Sequence, residues 1–197
     1  MTEPRAERYE GSVDEQLDVR ALVERAREGQ EAAWDALYRA VYPRLLAYAR
    51  RRLPSLDEAR DAVSETMTRA VAKIDRFTWK AGGFEAWLFG ILRHVVLDIQ
   101  RAAGRRTHVP VVVDQASDEP SPLDRVLGDE EAAAVRLAFA RLDEAEQEVL
   151  ELRVVGRLSA EEVAAVIGKR PGAVRMAQYR ALARLRINME EVTGSVH

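Results

Sequence analysis

The sequence predicts an all-α fold of two small helical domains, and three observations point there. From Asp18 to about Arg106, Leu, Ala, Arg and Glu dominate at helical spacing and β-branched runs are almost absent. A proline-bearing, acidic stretch then interrupts the pattern, and helical periodicity resumes near Glu130 and runs to about Glu191. Within that second part, LSAEEVAAVIGKRPGAVRMAQYRALARLR at 158–186 reads as two helices joined by a sharp turn.

In chain order, residues 1–17 form a polar arm and residues 18–106 the first domain, punctuated by Gly29, Pro43, Pro54 and the Gly82-Gly83 pair. Inside it, DAVSETMTRAV at 61–71 places Val63, Met67, Ala70 and Ile74 on one inward stripe. Asp61, Glu65 and Thr68 project from the opposite side of that helix. The loop Phe77-Thr78-Trp79-Lys80-Ala81-Gly82-Gly83 joins an exposed-looking tryptophan and a lysine to glycines that permit close backbone approach. In the helix after it, Phe84, Trp87, Leu88, Ile91 and Val95 recur at helical spacing as core, while Arg93, His94 and Arg101 remain as polar candidates.

Residues 107–129 form the linker, with three prolines. Within 114–131, Asp114, Asp118, Glu119, Asp124, Asp129, Glu130 and Glu131 lie against Arg125 alone, so this stretch repels itself. The second domain covers 130–191, and 192–197 is a short tail. Ser159 and Glu162 stand at capping-box spacing, Gly168 suits the left-handed residue that ends a helix, and Pro171 suits the first turn of the next. Val163, Val166 and Ile167 make one apolar face; Val174, Ala181 and Leu185 make the other. Arg175, Met176, Tyr179 and Arg180 lie roughly opposite the latter.

A solvated face would explain the arginines alone. Residues 169–186, however, carry Lys169, Arg170, Arg175, Arg180, Arg184 and Arg186 with no acid, and exposed Met176 and Tyr179 suit thymine methyls and sugars better than water. The arrangement is that of a helix-turn-helix whose second helix enters the DNA major groove.

Composition excludes several function classes. The net charge of −3 rules out a protein that coats DNA nonspecifically; the charge is segregated instead. The absence of cysteine removes disulfides, thiol switching and cysteine-ligated zinc, and suits a reducing cytoplasm. The N-terminus lacks the apolar stretch of a signal peptide, and the most apolar run, Phe84 to Ile99, contains Glu85, Arg93, His94 and Asp98, so the expectation is a soluble cytoplasmic protein without a membrane span. His94, His108 and His197 show no paired metal spacing, and no phosphate-cradling glycine motif occurs. The chain is therefore expected to be no enzyme and to hold no cofactor or metal.

Taken together and in this order, DAVSETMTRAV at 61–71, FTWKAGGFEAWLFGILRHVVLDIQR at 77–101 and LDEAEQEVLELRVVGRLSAEEVAAVIG with GAVRMAQYRALARLR at 142–186 resemble the extracytoplasmic-function group, group 4, of the sigma-70 family of bacterial RNA polymerase sigma factors. The resemblance implies a region 2-like domain that docks on core polymerase and a region 4-like helix-turn-helix domain. Asp61, Ser64, Glu65 and Thr68 would face the clamp helices of the largest subunit, with the flap region a second polymerase contact. Trp79, Lys80, Arg93, His94 and Arg101 would capture and hold the −10 strand, because opened DNA needs a replacement for lost stacking. Lys169, Arg170, Arg175, Met176, Tyr179 and Arg180 would read the −35 duplex. The linker would thread toward the RNA exit path.

The chain departs from the family pattern in places: Ser64 stands for a usual glutamine, Val71 for a frequent tryptophan and His94 for a frequent asparagine. Ala177 replaces a frequent arginine, and Gln178 occupies a usually apolar core position. The Lys169-Arg170-Pro171 turn lacks the N-cap hydroxyl, which predicts an altered −35 preference. Regulation by an anti-sigma partner is common in such proteins, and no residue here identifies one. The rival reading, a stand-alone helix-turn-helix repressor or activator, explains residues 158–186 equally well but leaves the Asp61/Glu65 face and the Trp79 loop without a role.

Overall fold

A computed structural model describes residues 18–80, 82–106 and 129–194. The arm at 1–17, most of the linker and the end of the tail lie outside the described residues. Among those described there are eight α-helices and no strand. They are α1 (Val19–Arg27), α2 (Glu31–Arg50), α3 (Leu56–Lys73), α4 (Gly83–Arg106), α5 (Asp129–Ala140), α6 (Glu144–Leu150), α7 (Ala160–Ile167) and α8 (Pro171–Gly194). A 3₁₀ turn (Ile74–Arg76) follows α3, and a π turn (Glu151–Val155) continues α6.

Local chemistry sets the helix starts. Asp18 accepts hydrogen bonds from the amides of Arg20 and Ala21, both at 3.1 Å, and Ser55 accepts from Glu58 N at 3.1 Å. Asp143 with Glu146, and Ser159 with Glu162, close full capping boxes, so each helix end gains two satisfied donors. Gly168 ends α7 in the left-handed conformation at φ 68°, as its position in the sequence predicts.

Pro43, read as punctuation, instead lies inside α2. It faces solvent, and the buried neighbours Val41 and Leu45 hold the helix through the missing rung. Helix α8 likewise continues past residue 191 to Gly194, with Val192 buried.

One core runs through both halves of the chain. It contains Val23, Leu37, Leu45, Tyr48, Phe84, Phe89 and Leu92 from the first half and Val149, Leu152, Leu158, Val163 and Val174 from the second. A small separate cluster, Leu142, Leu150 and Ala181 with Phe139 and Leu185 against it, belongs to the second half alone. Helix α4 is central: it packs on α3 along one side and on α7 along another. That explains why Phe89 and Leu92 are as buried as the expected Phe84, Leu88 and Val95. A helix packed on two sides loses the single-stripe pattern from which a core is read.

Candidate nucleic-acid interface

Helix α8 presents its expected face. Val174 and Ala181 are fully buried, which turns Met176 and Tyr179 outward at 57% and 70% exposure. Lys169, Arg170, Arg175 and Arg180 are exposed around them. Arg175 Nη1 donates to Glu161 Oε1 at 2.8 Å, and this bond holds the Glu161 carboxyl below its ordinary range. Gln178, the polar residue at an apolar position, accepts from Arg153 Nε at 2.8 Å, and Arg153 also donates to the carbonyl of Leu158. The turn before α7 and helix α8 are thus tied by one guanidinium.

The loop before α4 is built by α1. Arg27 donates to the carbonyls of Ile74, at 3.2 Å, and Phe77, and its guanidinium lies over the Phe77 ring. Trp79, expected to be exposed, is half-buried: it stands edge-on to Phe77 at 5.0 Å, Arg20 lies over its ring, and its indole N–H donates to Glu24 Oε1 at 3.3 Å. The indole bond, and then Arg27, hold the Glu24 carboxyl below the ordinary value. The ring remains partly accessible, at the edge of an aromatic cluster completed by Phe84 and Trp87.

Beside this loop opens a cleft of about 650 Å³. Arg69, Lys73, Arg76, Lys80 and His94 line it, with Asp98 as the one acid, and Phe77 and Trp87 supply aromatic surface. Ala165 and Val166 of α7 form part of its wall. His94 is exposed, with Nδ1 2.6 Å from the Gly90 carbonyl. Arg101 is exposed too and pairs with Asp98 at 3.3 Å. A cationic cleft with aromatic walls is what a single strand requires. Of the residues expected at the −10 strand, Lys80 and His94 line the cleft itself; Trp79 lies beside it and Arg101 beyond it on α4. Arg93 is engaged elsewhere: its Nε and Nη2 donate to the two Glu148 oxygens at 2.7 and 3.2 Å.

The chain matches the Sigma-70 region 2 family over residues 37–106 and the Sigma-70 region 4 family over residues 132–185. It is 39% identical over 188 residues to the ECF RNA polymerase sigma factor ShbA of Streptomyces griseus, covering 90% of this chain and 98% of that one. The chain belongs to the ECF RNA polymerase sigma factors. Among solved structures, this sigma factor is similar to CnrH in complex with the cytosolic domain of CnrY, at a TM-score of 0.64 and 26% identity over 87% of this chain and 97% of that one. It is equally similar, at a TM-score of 0.64 and 26% identity, to RpoE of Bartonella quintana in complex with the anti-sigma factor NepR, over 79% of this chain and 96% of that one.

In the sigma factor's region 2, α3 carries Asp61, Ser64, Glu65 and Thr68 together on one exposed face, while Val63, Ala70 and Ile74 are buried and Met67 half-buried beneath them. Val71 continues that exposed face at 51% exposure. Among the described residues, no helix is long and apolar enough to cross a membrane.

Sequence reasoning missed the residues that support these surfaces. Glu24 and Arg27 of α1 set the loop, Glu161 orients Arg175, and Arg51, Arg52, Glu148 and Glu151 join the two halves. The Arg51-Arg52 doublet was visible in the chain; what it faces was not.

Proposed function

We propose that this sigma factor docks on core polymerase through Asp61, Ser64, Glu65 and Thr68, holds the −10 strand at the α4 cleft and reads the −35 duplex with the outer face of α8. The observation that carries this reading is the pairing, in one chain, of a cationic aromatic cleft with a Met176/Tyr179 face left open among arginines. The first suits unstacked bases and the second suits a major groove. On this reading Trp79, Lys80, Arg93, His94 and Arg101 serve the melted strand, and Lys169, Arg170, Arg175, Met176, Tyr179 and Arg180 the closed duplex.

The protein itself performs no catalysis: bond formation belongs to the polymerase, and the sigma factor works with it in the cytoplasm. Its solved relatives are held by CnrY and by the anti-sigma factor NepR, and an anti-sigma protein is a proposed partner here as well. The flap region of polymerase is the proposed dock for the second half.

Run-off transcription with purified core polymerase on fragments of the source genome tests the reading. Specific initiation, dependent on both promoter elements, is the expected result. Tyr179→Ala and Arg175→Ala should each cost about 1–3 kcal/mol of −35 discrimination, and unchanged −35 dependence would remove the α8 assignment. Charge reversal at Asp61 and Glu65 should abolish polymerase affinity; full retention would remove the docking face. Duplex binding undiminished without polymerase would instead favour the stand-alone regulator.

A further inference from the structure

The two halves meet across a seam of charges that the promoter reading leaves unused. From the first half, Arg51 and Arg52 stand at the end of α2 and Arg93 on α4. From the second, Glu148 on α6 and Glu151 on the π turn face them. Glu151 is 3% exposed; its Oε2 accepts from Arg52 Nε at 2.6 Å and its Oε1 from Arg51 Nε at 3.2 Å. Glu148 takes the Arg93 fork at 2.7 and 3.2 Å, and the Tyr48 hydroxyl lies 3.5 Å from its Oε1. Glu144, with a side chain 80% exposed, adds a looser third carboxylate, its Oε1 4.0 Å from Arg52 Nη1. Even so the guanidinium is not fully satisfied: Arg52, with a side chain 9% exposed, has a buried Nη2 with no hydrogen-bond partner among the described residues.

We infer that Arg51, Arg52 and Arg93 form a binding surface for DNA backbone phosphate, and that Glu148 and Glu151 occupy it in this closed form. The inference rests on the sigma-factor reading above, and geometry supports it first. Elements centred near −10 and −35 are about 25 base pairs apart, roughly 85 Å along a duplex. In this structure α7 lies against α4, and a Cβ added to Gly82, just before α4, would fall 2.8 Å from the Cβ of Ala165. Halves in such contact cannot sit on both elements, so promoter binding requires them to separate. Separation carries Glu148 and Glu151 away and leaves three arginines beside the −10 helix.

Chemistry supports it second. Carboxylate and phosphate oxygens are read by the same planar fork, so either anion satisfies the same arginines. A buried ion cluster is also a poor permanent fastener, since apolar residues of like volume hold a seam as well or better. It is a good exchangeable one. The amide of Gln100 donates to the Arg52 carbonyl at 2.9 Å, which fixes the cluster next to Arg101 at the far end of α4.

The test uses reconstituted holoenzyme and a promoter identified by run-off transcription, with affinity measured across a salt series. Glu148→Gln with Glu151→Gln keeps the arginines and weakens the closed form, so promoter affinity should rise roughly fivefold to tenfold. Adding Arg52→Gln to Glu151→Gln leaves a neutral pair; affinity should fall by about the same factor relative to Glu151→Gln alone, and the salt slope by about one. Should the Glu151 variants fail to fold by circular dichroism, Glu148→Gln with and without Arg93→Gln carries the same comparison at a less buried pair. Equal affinities and salt slopes with and without the arginines would overturn the inference while wild-type initiation stands. If wild-type holoenzyme initiates nowhere, it is the sigma-factor reading that has failed.

Discussion

Trp79 illustrates how much a single residue's neighbours decide. Its indole is tied to Glu24, a carboxylate whose pKa is depressed by that bond and by Arg27. The tie is therefore fully present above the ordinary glutamate value and is lost as pH falls through the lowered one. Acid titration should shift Trp79 emission with a midpoint below the ordinary glutamate range. Trp34 and Trp87 also fluoresce, so the measurement is the difference between wild type and Glu24→Gln; identical titrations would show that the tie is absent. At the end of α7, Gly168 sits at φ 68°, and Gly168→Ala should cost about 1 kcal/mol in denaturant unfolding. The two residues differ in legibility for a physical reason. Gly168 and the Ser159 cap depend on partners within a few positions, so the chain announces them. The Glu24–Trp79 bond joins residues 55 apart, and nothing local encodes it.

At the scale of elements, the passage from α6 through the π turn into α7 is held by backbone bonds and a close glycine contact. Leu158 N bonds Leu152 O at 3.1 Å, Gly156 N bonds Glu151 O at 2.9 Å, and Arg157 takes a positive φ of 52°. A Cβ on Gly156 would lie 2.6 Å from Leu152 O and 3.2 Å from the Phe89 ring. Backbone cannot retreat as a flexible side chain does, so Gly156→Ala should destabilise by about 1–3 kcal/mol, read as a lowered denaturant midpoint at unchanged slope. A neutral result would mean that the turn tolerates a shift the geometry forbids. In sequence, ELRVV reads as ordinary helix, because a widened turn uses the same residues as a regular one. The helices themselves were legible from period and caps; Pro43 was misread because packing on Val41 and Leu45 overrides its local preference.

At the scale of the molecule, the shared core couples the halves. Trp34, Trp79 and Trp87 all lie in the first half, whereas Val174 is a fully buried core residue of the second. Val174→Ala should lower stability by about 1–3 kcal/mol, and the tryptophan-detected midpoint should move together with the helical signal. A shift confined to the helical signal would mean that the halves unfold independently. The closed arrangement itself can be followed by energy transfer, since the chain has no cysteine to mask labels placed at Asp57→Cys and Arg186→Cys. Transfer should be high in the free protein and fall on assembly with polymerase and promoter; equal transfer in both would contradict separation of the halves. None of this was legible beforehand. Amphipathic patterns say which face of a helix is buried, not which distant helix covers it, and so the sequence reading leaves the arrangement of the two domains open.

Arg93 grips Glu148 where the halves are joined, and on the proposed reading it meets the strand once they part. Its loss would weaken two competing states at once, so the balance between them would move far less than either alone. A mutational screen scored on transcript yield alone would pass over this position as dispensable, because the two penalties nearly cancel.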